Sequence, residues 1–398
     1  MGFFTEPAFF MLLVPIVAIA AFLGLTERSI ARYGLAASVV MLLLLFSRSI
    51  PGLVFLCCFL ALSFGLSQYV LRLFASEEAR GAIAKYRIAL ALQLAPLVVY
   101  KVGVFFDPDF LGFIGISYIT FKAVQVLIEM RDGLIKQCKP FDYLYFLVFF
   151  PTFTSGPIMR SRQFDKDLEK DLSRKRTRDE YLELLYRGAS WFLLGALYKF
   201  IGSPLATWLM WMGPSAIGTS DGLTFAATQV VYGFAYGMNM FFDFAGYSHM
   251  AVGVGFALGI EVPPNFRAPF MAIDIKDFWD RWHISLSHWL RDFVFMRFTS
   301  AAIEHGWFKS TVTSACIAFM INFLLMGLWH GISVDNLFYG LYHGVLLSSC
   351  EVFQRKSKFY KRHRKDRWFK LCSWAITMLA VFFGFALFGG QVLHPVMM

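Results

Sequence analysis

Ile321–Gly344 reads INFLLMGLWHGISVDNLFYGLYHG, and this stretch decides what kind of molecule the chain can build. From Thr311 to Trp329 no side chain is charged, and the length approaches the ~20 residues that cross a bilayer as helix. At its end His330 stands between Trp329 and Gly331. A polar side chain at membrane depth costs roughly a few kcal/mol even on lenient insertion scales. The imidazole therefore needs a chemical reason to be there.

Working outward, comparable apolar runs recur at Phe9–Leu25, Gly52–Leu71, Ile88–Phe106, Phe110–Met130, Gly188–Met212, Phe308–Trp329 and Leu337–Phe353. With 58% hydrophobic and only 16% charged residues in 398, too little charge is available to cover a soluble surface of this size. No period-2 alternation of the kind a membrane barrel requires is visible. The fold class expected is therefore an all-α polytopic membrane protein. Phe9–Leu25 is expected to stay as a first span, because no Lys or Arg precedes it as in a signal peptide. No internal repeat or long linker divides the chain, so residues 1–398 are expected to form a single membrane domain.

The net charge of +10 is concentrated. Arg160–Arg178 carries eight basic and four acidic residues, and Arg355–Lys370 nine basic residues against Asp366. The positive-inside rule puts both in the cytoplasm, with 72–87 and Arg131–Lys139. Residues 107–109 and 213–222 are expected to be outer loops. Phe141–Met159 then leaves and returns on one side, and its Pro151, Gly156 and Pro157 break helix. It reads as a re-entrant segment, tolerated at depth only where protein or water covers its backbone, or as a short surface-lying one.

Asp277–Phe298, DFWDRWHISLSHWLRDFVFMRF, places Phe278, Trp282, Leu286, Trp289, Leu290, Phe293 and Met296 on one helical arc. It predicts one amphipathic helix, with His283 at the boundary between its faces and close to Ser287. His288 and Asp292 read as a local surface pair. Asp243 lies in an apolar setting and requires a partner, an Arg or a backbone amide. The six cysteines lack C-x-x-C spacing, so neither a disulfide framework nor a metal site is expected.

Among eight histidines, His363 and His394 fall in polar or terminal regions, and His249, His288, His305 and His343 show no chemical partner. His330 ends a long apolar helix before a cap-like Gly331. A neutral imidazole there could take a proton from a hydroxyl. The bland reading is a histidine satisfied by a carbonyl across a helix interface. No G-x-S-x-G elbow, P-loop or metal-ligand cluster is present. An enzyme with so little nucleophile chemistry of its own would use a preactivated donor, and a thioester fits.

FWDRWHISLSHWLRDFVF, with His283, and MGLWHG, with His330, resemble the histidine signatures of the membrane-bound O-acyltransferase superfamily. GISYITFKAVQVLIEMRDG (115–133), FFPTFTSGPI (149–158), GALYKF (195–200) and FFDFAGYS (241–248) resemble its branch that transfers D-alanine to teichoic acids. The likeness covers about residues 115–344. It implies a ring of about ten to twelve transmembrane helices, plus re-entrant and amphipathic helices, around a central funnel and channel. It also implies His330 as catalytic base, His283 as second signature histidine, and Trp282, Ser285 and Trp329 beside them as substrate-binding residues. The implied donor is D-alanine on the phosphopantetheine arm of a cytoplasmic carrier protein, with no cofactor held by the chain itself. The acceptor is a hydroxyl of teichoic or lipoteichoic acid, or an intermediary, outside the cell membrane. Small accessory envelope proteins could assist, and no nucleic acid is expected. Met159 stands where an acid is expected after TSGPI.

Two other functions are compatible with these residues. One is acetyl transfer to an extracellular polysaccharide, of the alginate or cellulose type, by a sibling of the superfamily. The other is transport of an envelope precursor, which would call for paired interrupted helices in related halves; no such halves are visible.

Overall fold

The computed structural model describes residues 3–75, 81–107, 112–217 and 222–392. The expected outer loops 107–109 and 213–222, part of the loop 72–87, and His394 lie wholly or partly outside the described residues. Among the described residues no β-strand forms, and the single pairing of extended backbone is an isolated bridge between Phe266 and Trp282. Among the described residues six helices are long and apolar enough to cross a membrane: Pro7–Leu25, Ile50–Ala75, Ala82–Phe106, Arg178–Gly213, Thr311–His330 and Arg367–Phe388. The chain is thus an all-α polytopic membrane protein. It divides into two compact units, residues 1–195 with 247–263, and residues 196–246 with 264–398.

The first unit holds α1 (Pro7–Leu25), α2 (Ala31–Leu45), α3 (Ile50–Ala75), α4 (Ala82–Phe106), α5 (Ile116–Arg131), α6 (Pro140–Val148), α7 (Ser161–Leu172) and most of α8 (Arg178–Leu197). The run expected as a span at Phe110–Met130 is shorter: α5 has 16 residues, and all but the two from Ser117 and Arg131 are buried. It is enclosed by protein on every side, so hydropathy alone overstated its contact with lipid.

The segment after it is short and mostly buried in protein. At nine residues, α6 is about 14 Å long, too short for the ~30 Å hydrocarbon layer, and a 3-10 turn at Phe150–Thr152 follows. Protein satisfies its backbone: Lys122 Nζ donates to Phe146 O at 3.1 Å and to Thr152 Oγ1 at 3.0 Å, and Phe150 N donates to Ser38 Oγ at 3.3 Å. Met159, in place of the expected acid, is buried; its carbonyl accepts from Gln125 Nε2 at 2.6 Å, and its sulfur lies 3.7 Å from Thr152 Oγ1.

Charge placed at a helix start fixes α2. Asp171 Oδ2 accepts from Ile30 N and Ala31 N, both at 2.9 Å, and from Ser29 Oγ at 2.6 Å. A carboxylate there satisfies orphan N–H groups and meets the positive end of the helix dipole.

In this unit Lys139, Asp142, Ser161, Asp165 and Glu169 line a cavity of about 400 Å³. Burial first, then the carboxylates of Asp142 and Glu129, push the Asp165 carboxyl up to about 6. The folded state therefore binds more protons than the unfolded chain between the ordinary carboxylate pKa and about 6, so stability falls as pH rises through that window. Asp165→Asn is expected to flatten this fall. Melting curves in detergent from pH 4 to 7 check it, and parallel wild-type and variant profiles would contradict it.

The second unit contains α9 (Ser203–Ile217), the first part of α10 (Gly222–Ala257), α11 (Ile275–Trp279), α12 (Ile284–Leu290), α13 (Met296–Glu304), α14 (Thr311–His330), α15 (Val334–Lys356), α16 (Lys358–His363) and α17 (Arg367–Phe388). Asp243 finds a lysine, not the arginine or backbone amide expected: Lys199 Nζ lies 2.5 Å from Asp243 Oδ1. Beside this pair Asn239 Nδ2 donates to Ser203 O at 3.0 Å and to Thr207 Oγ1 at 2.5 Å. Residues 199, 203 and 207 on one helix face 239 and 243 on another, each set at four-residue spacing, so the polar groups of two apolar helices satisfy one another.

Candidate active site

The opening stretch folds into a helical hairpin, α14 and α15, packed through glycine. A Cβ on Gly327 would stand 2.3 Å from Asn336 O, and one on Gly340 would stand 2.5 Å from Phe323 O. Only residues without a side chain let the two backbones approach this closely. Ser333 starts α15 by accepting from Asn336 N at 3.2 Å. Asn336 Nδ2 in turn donates to Gly331 O at 3.2 Å. Gly331 is not the left-handed cap its position suggested. Its φ of 166° is ordinary extended backbone, and its smallness admits the Asn336 amide, 2.9 Å from where a Cβ would be.

His330 is the last residue of α14 and is half-buried. Trp329 covers one side with its ring 4.7 Å away, Phe388 another at 5.0 Å, and Tyr339 a third at 6.3 Å. Tyr339 and Phe388 come from α15 and α17, and no sequence spacing announces them.

The amphipathic segment Asp277–Phe298 is not one helix. It breaks into α11, α12, a π-helical turn at Arg291–Phe295, and α13. The cause lies upstream: Arg267 N donates to Arg281 O at 3.0 Å, and Ile284 N donates to Asn265 O at 2.9 Å. These bonds pair Trp282 with Phe266 and interrupt the helix between Trp279 and Ile284. His283 consequently sits at the start of α12, with φ 45° and ψ 49°, in the left-handed region. For a residue with a Cβ this costs about 1–3 kcal/mol and persists only where the surroundings enforce it, as at functional sites.

The His283 ring is buried at 4% exposure. It stands edge-on to Phe244 at 4.7 Å and 6.1 Å from the Trp329 ring. Trp329 thus contacts both imidazoles. Burial first, then the His330 imidazole, lower the His283 pKa, so the ring is neutral at physiological pH. Its Nε2 has no hydrogen-bond partner among the described residues. A neutral, desolvated imidazole with an uncommitted nitrogen beside a half-buried second imidazole can share the work of moving a proton at one oxygen.

The remaining sequence candidates differ in setting. Ser285 is buried, its Oγ donating to Asn265 Oδ1 at 2.6 Å, so the hydroxyl is engaged in holding the turn. Trp282 is packed among Phe278 at 5.5 Å, Phe266 at 5.0 Å and Phe385 at 4.9 Å, at 4% exposure. His343, for which the sequence offered no partner, accepts at Nδ1 from Trp279 Nε1 at 3.4 Å. It links α11, which leads to His283, with α15. Lys276 extends that link by pairing with Glu351 and donating to Gln354 Oε1 at 2.9 Å.

In this multi-pass helical membrane protein the rings of His283 and His330 both pack against Trp329. The model of the membrane-bound O-acyltransferase family matches residues 53–390, and the chain belongs to that family; it is an O-acyltransferase. It is similar to teichoic acid D-alanyltransferase of Bacillus subtilis, 38% identical over 396 residues that cover 97% of each chain. It is also similar to teichoic acid D-alanyltransferase of Streptococcus thermophilus, 38% identical over 310 residues, 75% of this chain and 74% of that one. The probable alginate O-acetylase of Pseudomonas aeruginosa is 30% identical over 284 residues, 71% of this chain but 49% of its own length.

Proposed function

We propose that this protein transfers D-alanine from a thioester on the phosphopantetheine arm of a cytoplasmic carrier protein to a hydroxyl of teichoic acid, or of an intermediary, on the outer side. The observation that carries this reading is the end-to-end similarity to a teichoic acid D-alanyltransferase, joined to the placement of His330 beside His283. Similarity to the alginate O-acetylase covers about half of that protein's length, which favours acetyl transfer less.

In this mechanism His330 accepts the proton of the acceptor hydroxyl as its oxygen attacks the thioester carbonyl. The tetrahedral intermediate collapses by breaking the C–S bond, and the departing thiolate takes the proton back from His330. The ester and free thiol are the products, and His330 returns to its neutral form. His283, neutral and with Nε2 uncommitted, orients the hydroxyl or the carbonyl oxygen. Trp329 packs against both rings and excludes water from one side, while Ser285 and Trp282 fix the turn that carries His283.

Supplying labelled D-alanine on its carrier, and labelled acetyl donor in parallel, to membranes containing the acceptor polymer tests the reading. Ester-linked D-alanine is expected; label entering only from the acetyl donor would overturn it. His283→Ala is expected to reduce transfer less than His330→Ala, and initial rates with both variants check this. Equal losses would assign His283 a direct part in proton transfer.

Carrier docking is expected to draw on the basic cytoplasmic segments Arg160–Arg178 and Arg355–Lys370. Replacing four of their lysines and arginines is expected to weaken carrier binding more at low than at high salt. Salt-independent affinity of wild type and variant alike would leave those residues as topology signals only.

A further inference from the structure

One end of the second unit holds a cavity of about 460 Å³ between α10 and α17, within the ~300–1,000 Å³ typical of ligand sites. Phe225, Val230 and Phe234 line it from α10, and Leu379 and Phe382 from α17. None of its lining residues is charged. Gln391, 6% exposed, also lines it, with neither Nε2 nor Oε1 hydrogen-bonded among the described residues. The carboxamide rests over Gly233, where a Cβ would come 3.1 Å from Oε1. A buried amide with a free donor and a free acceptor carries the full desolvation cost of both.

The charge pattern fixes the depth. α17 begins within the basic segment Arg355–Lys370, seven of whose nine basic residues precede it, so its start is cytoplasmic and Gln391, past its far end, is at the outer face. The start of α10, which follows the loop assigned to the outside, agrees.

We propose that this cavity binds a diacyl lipid of the outer leaflet that has an uncharged, hydroxyl-bearing head. An acyl chain fills the phenylalanine-lined part, and a head hydroxyl and an ester carbonyl pair with the Gln391 amide. A phosphate head would find no cation in the lining. A partner's transmembrane helix satisfies its own backbone and would leave the amide unpaired. Water alone fits poorly, because the walls offer too few polar groups to hold it. An acceptor polymer tethered by such a lipid would be presented on this side of the enzyme; that extension alone rests on the D-alanyl transfer proposed above.

The test is native mass spectrometry of the full-length protein released from detergent after exposure to equal amounts of diglucosyl-diacylglycerol and phosphatidylglycerol. No donor is present, so failure of the transfer reading leaves this result unaffected. Wild type is expected to retain the glycolipid about tenfold over phosphatidylglycerol, as two neutral hydrogen bonds would give. Gln391→Leu is expected to bring the two lipids to parity, and Val230→Trp, which fills the cavity and spares the amide, to lose both. Retention of phosphatidylglycerol in preference, or an unchanged ratio in Gln391→Leu, would overturn the proposal. If Gln391→Leu does not fold, unchanged retention by Val230→Trp would do so.

Discussion

His330→Ala is expected to lower acyl transfer by about 10²–10⁴-fold, the range a positioned general base contributes, while carrier affinity stays at the wild-type level. The imidazole is half-buried between Trp329, Phe388 and Tyr339, and among the described residues the other imidazole packed against Trp329 is that of His283, its ring 6.1 Å from the indole. The alanine keeps the helix end, since Gly331 and Asn336 hold it through backbone and amide contacts. Initial rates of ester formation and carrier titration on the same preparation measure both quantities. Activity within tenfold of wild type would remove His330 from the mechanism.

Gly327→Ala is the second large effect. It touches no substrate, yet the added methyl would stand 2.3 Å from Asn336 O, a backbone atom that cannot rotate away. The hairpin must open by a fraction of a helix radius, and His330, one turn further along α14, moves with it. Misplacement of a catalytic group by about 1 Å can cost ~10²-fold in rate, against an overpacking penalty of about 1–3 kcal/mol in stability. The expected signature is a fall in kcat of about a hundredfold with carrier affinity retained and a lowered melting temperature. Gly65→Ala, where nothing lies within 4 Å of the new methyl, is the control and is expected to be silent. Wild-type kcat in Gly327→Ala would show that the hairpin can yield without moving His330.

Hydropathy made the membrane class legible because the spans repeat the same physics from end to end. His330 stands out in the sequence as a candidate for the opposite reason: one imidazole at the end of an apolar helix violates that physics locally. Features set by distant partners could not be read. The break at residues 281–284 depends on Asn265 and Arg267, which an amphipathic pattern within Asp277–Phe298 does not encode. The partner of Asp243 is Lys199, 44 positions away. α5 resembles a lipid-facing span in composition, and only packing reveals it as enclosed. The two glycines of the hairpin looked like ordinary small residues until Asn336 O and Phe323 O were seen against them.

The most direct test confines the D-alanyl carrier to one side of a sealed proteoliposome and the acceptor polymer to the other. With wild-type protein, D-alanine from the carrier is expected to become ester-linked to the polymer across the bilayer, and with His330→Ala it is not. Equal labelling by the variant, or labelling only when carrier and polymer share a compartment, would contradict a single imidazole serving donor and acceptor from opposite sides.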